Sequence, residues 1–377
     1  MTQTVSMYSS ITRRLGGVLR RRFAALAATC AAALLLAAAP QAQAQRIWEL
    51  QFASYIGPAA AQSKASEWWA REVEQRTGGR VKVKFFYQNS LLQATDILKG
   101  VADGRADLGY VANAYHPAEL PLSSVVGVPF VTSNAEAQMR TFTELYERNA
   151  AFRGEWQRMG VHVLFFHPLS ENIVGMRRPI SAVSDLQGRR IRGLGYINQA
   201  LQMIGANPVA IAAPEIYESL LRGTLDGYSG FAFEVVTSLK LHEVAPHTVA
   251  MGTGNYVFAA TPITRRTWDA MPEDLRRILT EVSAQYTSKV VEILAQTEDE
   301  VCETIRRARG TVSVMPDAEI AKIRASIGDR INQLWIKDAT ARGAPAAAFF
   351  DDYIATLRKH EAQSRYVSGV KRCAALR

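Results

Sequence analysis

The chain has 377 residues, of which 48% are hydrophobic and 21% charged, a balance that suits two folded domains and excludes a disordered or collagen-like polymer. Only 3 cysteines are present and no Cys-x-x-Cys pair occurs, which excludes a disulfide-built scaffold and a cysteine zinc site. The formal charge is +9, but five of those excess charges, Arg13, Arg14, Arg20, Arg21 and Arg22, lie in the first 44 residues. What remains argues neither for nucleic acid nor for adhesion to a membrane.

Residues 1–44 have the three parts of a secretory signal. The arginine-bearing start is followed by an apolar run from Ala24 to Ala39 and then by Ala42-Gln43-Ala44, so cleavage is expected after Ala44 and the mature protein is expected in the periplasm. An uncleaved anchor is the other reading. Thr12-Arg13-Arg14 and Arg20-Arg21-Arg22-Phe23 touch a twin-arginine pattern without deciding the export route. Lipidation at Cys30 is rejected, because the bulky Thr29 precedes it and the apolar run continues beyond it. The mature chain keeps Cys302 and Cys373. They are read as one core cysteine and one near a frayed tail, with pairing as the alternative in an oxidising compartment.

From Ile47 strand-like and helix-like pieces alternate. Ile47 to Phe52 reads as a strand, and Ala65, Trp68, Trp69 and Val73 recur at helical spacing until Gly78-Gly79. Val81 to Phe85 alternates as a strand, a helix through Ile97, Leu98 and Val101 stops at Gly104, and Asp107 to Val111 resumes as strand. This order predicts a mostly parallel sheet covered by helices. It repeats with a helix at 152–159, strands at Val161–Phe166 and Arg190–Arg192, a helix at Ile197–Ile204, a strand at Val209–Ile211 and a helix at Glu215–Leu221. The last third is helical: Pro272 to Arg309, then a strand at Val312–Val314, then helices through Ile320–Leu334 and Phe349–Leu357. No long linker and no fixed-period repeat occurs.

Catalytic signatures are scarce. Gly227-Tyr228-Ser229-Gly230 lacks the residue that a nucleophile elbow needs between serine and the second glycine. His162 and His167 are five apart on one strand and face opposite sides. Gly193-Leu194-Gly195-Tyr196-Ile197-Asn198 follows a strand and opens a helix, but Asn198 stands where a dinucleotide fingerprint has its third glycine. A glycine turn at a helix start still suits a small anion. Arg192 lies just before it, and its planar fork can hold a carboxylate through two charge-assisted hydrogen bonds.

The stretch Arg178-Pro179-Ile180, Ser184 to Arg192, Gly205 to Val209, Glu215 to Leu220 and Gly223 to Gly227 resembles the extracytoplasmic solute-binding proteins of tripartite ATP-independent periplasmic (TRAP) transporters, of the C4-dicarboxylate-binding type. Gln88 to Leu92, Gly104 to Gly109 and Pro129-Phe130 upstream are similar as well. The resemblance implies an α/β, two-lobed periplasmic-binding-protein-like fold with a hinge and long connecting helices. Lobe I would span 45–175, completed by part of 264–310, lobe II 176–263, and 264–377 would brace both. Crossings are expected near 168–178 and 255–263.

The resemblance further implies a protein without catalysis or cofactor, which captures a small organic acid between its lobes and delivers it to a membrane permease. The family's carboxylate-gripping arginine corresponds to Arg192, and a second basic contact to Arg178, with Arg177 adjacent. Asn113 and Tyr115 would line the cleft from the loop after Asp107, while Asn198 and the loop after Gly227 would line the other side. Gly230 and Phe231 depart from the sialic-acid and metal-assisted branches. Tyr55, Tyr228 and Phe231 suit an acid with an apolar or ring portion. A ligand sensor for a membrane receptor and a periplasmic α/β enzyme stand as competing readings.

Overall fold

The computed structural model describes residues 46–376, and the leader expected over 1–44 lies outside them. Strands β1 (Trp48–Ala53), β2 (Val81–Phe86), β3 (Leu108–Gly109), β4 (Val111–Ala112) and β5 (Val161–His167) build a first sheet. A second sheet takes β6 (Asn172–Met176), β7 (Arg190–Gly193), β8 (Asn207–Ala210), β9 (Gly227–Ala232) and β10 (His247–Ala250). The chain then returns β11 (Ala259–Thr264) to the first sheet and ends its strands with β12 (Thr311–Val314) in the second. The orders are β2-β1-β3-β11-β4, with β5 also on β11, and β12-β10-β6-β9-β7-β8.

Both sheets are mixed, where the alternating pattern predicts mostly parallel ones. β1 runs parallel to β2 and β3, but β11 is antiparallel to β3, β4 and β5. In the second sheet β6 is antiparallel to β9 and β10. The reason is connectivity: β6 and β11 enter directly from the other sheet, through 168–171 and 251–258, without the helical return that a parallel neighbour requires. The crossings therefore fall slightly before the positions expected from the sequence.

Helical spacing sets the helices. In Ala61–Arg76 the buried Ala65, Trp69 and Val73 stand four apart on one face, and Gly78 and Gly79 follow with positive φ of 62° and 79°. Helix Glu273–Arg307 has 35 residues and so spans roughly 50 Å. Its Tyr286 and Val290 pack in the core of the first sheet, and its Val301, Cys302 and Ile305 in a core of the second. The single helix expected over 320–334 is divided into Asp317–Ile327 and Arg330–Ala341 at Gly328, whose φ is +52°.

The cysteine expectation is corrected. Cys302 and Cys373 form a disulfide, because helix Gly369–Ala375 folds back onto β10, β12 and the long helix instead of fraying. The same short helix carries Lys371, 3.2 Å from the buried carboxylate of Glu171 in the 168–171 crossing. The other crossing is tied in by Asn172, whose Nδ2 donates to Thr253 Oγ1 at 3.3 Å and whose Oδ1 accepts from Gly230 N at 2.8 Å.

Candidate functional site

β7 lies between β8 and β9, with Arg192 level with Val209 and Tyr228. Only 1% of Arg192 is exposed. Its Nε donates to Ile211 O at 3.0 Å, and one Nη donates to Ser229 O at 3.2 Å and Gly230 O at 3.3 Å. The guanidinium carbon stands 4.5 Å from the centroid of Phe231, within cation–π range. Gly230 leaves room for this approach, and Gly193 leaves room for the helix that follows. A Cβ at Gly193 would come within 2.4 Å of Asn198 Oδ1, and one at Gly230, whose φ is +77°, would meet Arg192 Nη1 at 3.1 Å.

No ion pair joins Arg192 to a carboxylate among the described residues. Burial pulls its pKa below the usual arginine range, and the groups opposing that shift are Tyr115, Tyr256 and Tyr55. A buried cation without a counter-charge is costly. Arginine stays protonated regardless, so the site is one into which an anion fits.

Arg192 lines a small cavity, about 30 Å³, between the two sheets. Tyr55, Tyr110 and Tyr115 close it from the first sheet's side, Phe231 from the second, and Leu169 and Val257 from the crossings. The tyrosines form a cluster: the Tyr55 ring stands 5.4 Å from Tyr110 and 5.8 Å, edge on, from Tyr115. Tyr115 reaches across the gap, where its hydroxyl accepts from Ala213 N at 3.1 Å. Burial lifts the Tyr55 and Tyr110 hydroxyls well above their ordinary range; for Tyr55 the neighbouring tyrosines add to this and Arg192 opposes it.

Of the residues expected at the site, Arg192, Tyr55, Tyr115 and Phe231 come together here. Asn113 does not line this cavity: its Nδ2 donates to Ser123 O at 3.1 Å and its Oδ1 accepts from Phe258 N at 3.1 Å, which fixes the chain after β4. Tyr228 is fully buried with its ring over Gly175, inside the second sheet's core, because Gly227–Ala232 is a central strand and not the loop the sequence suggested. Asn198 sits beneath Gly193 and away from the cavity.

Arg178 is displaced furthest. Met176 pairs with Gly227 at the start of β9, whereas Ile173 pairs with Phe231 near its end. The chain after β6 therefore emerges at the end of the sheet remote from Phe231, and Arg178, exposed, lines a surface groove with Arg177, Asp185, Arg189 and Asp226.

Sequence reasoning missed Tyr110, Leu169 and Val257, which look like ordinary strand and crossing residues; the only available signal was their proximity to predicted strand ends. His167 and His162 are held by packing on the first sheet. His167 is fully buried between Thr261 Oγ1 at 2.8 Å and the Tyr286 hydroxyl at 2.6 Å, and burial pushes its pKa down to about 3. His162 stacks on Trp268 with ring centroids 4.3 Å apart. Among the described residues, no cluster of His, Cys, Asp and Glu could hold a metal ion, and no helix is long and apolar enough to cross a membrane.

Comparison with known proteins gives a consistent result. The pattern of the bacterial extracellular solute-binding proteins, family 7 (DctP), matches residues 52–338. The outer membrane transporter protein TsaT of Comamonas testosteroni is 26% identical over 287 residues, 76% of this chain and 84% of that one. A TRAP solute-binding protein from Rhodoferax ferrireducens T118, solved with copurified benzoate, shares 22% identity and a TM-score of 0.76 over 84% of this chain and 99% of that one. A marine metagenome TRAP solute-binding protein specific for aromatic acid ligands, solved with 3-hydroxybenzoate, shares 22% identity and a TM-score of 0.77 over the same shares. At these identities the solved structures establish the two-lobed fold.

Proposed function

This chain belongs to the bacterial extracellular solute-binding proteins, family 7, and we propose that it binds a small organic acid with an apolar or ring portion and delivers it to a membrane permease of the TRAP type. The observation that carries this reading is Arg192, a buried guanidinium facing an aromatic cavity and without an ion-paired carboxylate among the described residues. A ligand carboxylate supplies that counter-charge, and Tyr55, Tyr110 and Phe231 receive its apolar body. The groups around Arg192 are of the kind that hold and orient a solute, which supports a role in binding.

Closure follows from the connections between the sheets. The sheets are joined at 168–171, at 251–258 and along helix Glu273–Arg307, so hinge motion at the two crossings with bending of that helix opens the cavity, and a ligand that touches Arg192 on one side and the tyrosines on the other favours the closed form. Exclusion of water strengthens the Arg192 contact as the gap shuts. The family is extracytoplasmic, and residues 1–44 fit a leader removed after Ala44, which mass analysis of the exported protein checks directly.

A thermal-shift screen with carboxylic acids tests the proposal. A ligand at 100 times its Kd adds about 2.7 kcal/mol of stability, so at least one small aromatic or branched aliphatic acid is expected to raise Tm by several degrees, and neutral isosteres are not. A panel of acids that leaves Tm unmoved contradicts it.

A further inference from the structure

Beyond Tyr256 the gap between the sheets continues into a second chamber of about 170 Å³. Asn113 and Ser124 wall it from the first sheet's side, Tyr196 and Gln199 from helix Tyr196–Met203, and Asp338 and Arg342 from the helix Arg330–Ala341 and its end. Tyr256 is the partition. Its hydroxyl donates to Leu194 O; Leu194 lines the Arg192 cavity, while the next residue, Gly195, lines the chamber. The ring fills the space between: a Cβ at Gly230 would meet Tyr256 Cε1 at 3.2 Å, and one at Gly127 would meet Cε2 at 3.6 Å.

The two spaces differ in chemistry. Around Arg192 the walls are aromatic and aliphatic. In the chamber polar side chains stand among Ala114, Pro117 and the Tyr196 and Tyr256 rings, and a buried acceptor is left without a partner. Gln199 Oε1 is shut off from solvent and has no hydrogen-bond partner among the described residues. Asp338 accepts from the Tyr196 hydroxyl at 3.2 Å, which leaves most of its acceptor capacity unused. Arg342, exposed at the rim, makes no ion pair among the described residues. A hydroxyl satisfies this set, because it donates to Gln199 or Asp338 and accepts from Arg342. A second carboxylate can pair with Arg342 at the rim but donates nothing to Gln199 Oε1 and places its charge against Asp338.

We infer that this chamber is the second half of the ligand site and, once hinge opening parts the Tyr256 ring from Leu194, takes a hydroxyl carried by the acid on the side remote from its carboxylate. The inference rests on the proposed role of Arg192 and adds which acids are preferred.

Calorimetry with benzoate, 3- and 4-hydroxybenzoate and the two matching methoxybenzoates tests it. The quantity read is the ratio of Kd values between a substituted acid and benzoate within one protein. In the wild type, one hydroxybenzoate is expected to bind roughly tenfold or more tighter than benzoate, the worth of one well-made hydrogen bond, and its methoxy counterpart is not. In the double variant Gln199→Ala, Asp338→Ala the ratio is expected to collapse toward one; should that protein bind neither acid, each single variant is read in the same way. A hydroxyl advantage that survives the substitutions, that is shared by the methoxy acids, or that is absent from the wild type overturns the inference while leaving the role of Arg192 standing. No binding of any of the five acids by the wild type overturns the inference too, while the role of Arg192 falls only if the wider panel of carboxylic acids also leaves Tm unmoved.

Discussion

Replacing Cys302 and Cys373 together by serine removes a cross-link between residues 71 apart in sequence. The chain-entropy relation for a loop of that length gives roughly 4 kcal/mol of stabilisation through the restricted unfolded chain. Both cysteines lie in the second sheet's core cluster, at 3% and 4% exposure, so burying two hydroxyls in their place adds to the loss. The bridge also fixes the helix that presents Lys371 to Glu171 and Arg372 to Glu298, the latter at 3.3 Å. Release of that helix therefore leaves two buried carboxylates less well compensated. Equilibrium unfolding in guanidinium should show the midpoint of the double variant falling to match a loss of about 4 kcal/mol, and the oxidised wild type should lose a similar amount on reduction. Thiol titration of the native protein that finds two free cysteines, or an unchanged midpoint, refutes the reasoning.

Gly230→Ala puts a side chain at φ +77° and 3.1 Å from Arg192 Nη1; stability should fall by about 1–2 kcal/mol and acid affinity should weaken with it, which paired denaturation and calorimetry check. Tyr115→Phe deletes the acceptor for Ala213 N across the gap, and carboxylate affinity measured by calorimetry should drop several-fold, about one neutral hydrogen bond; undiminished affinity is evidence against a role in closure. His167 gives the pH dependence. Its native pKa is near 3 against an ordinary value of about 6.5, so between those values the unfolded chain binds the extra proton and stability falls as pH is lowered. Unfolding free energy should be about 2 kcal/mol lower at pH 5 than at pH 7 from this residue, a difference that His167→Gln should largely remove.

Much of the architecture was legible because its periods are local. The alternation in Val81–Phe86, the four-residue spacing of Ala65, Trp69 and Val73, and the stripe along Glu273–Arg307 each belong to one element. Arg192 was legible for the same reason, as a strand-end arginine before a glycine turn. What escaped depends on long-range direction. Arg178 looked close to Arg192 in kind, yet the reversal of β6 carries it to the other end of the sheet. Tyr228 and Phe231 are three apart on one strand, and only the placement of β9 at the centre of its sheet decides which of them meets the cavity. The Cys302–Cys373 pair required knowing that the last helix turns back, which no short-range pattern records.

The central claim is that Arg192 grips a carboxylate between the two sheets. The most direct measurement is calorimetric titration of a carboxylic acid identified by thermal shift into the wild type, Arg192→Ala and Arg192→Lys. Loss of the planar, charge-assisted pair should weaken binding about a hundredfold or more in the alanine protein, and the lysine protein should not recover it, since an ammonium lacks the fork. Undiminished affinity in folded Arg192→Ala contradicts the account.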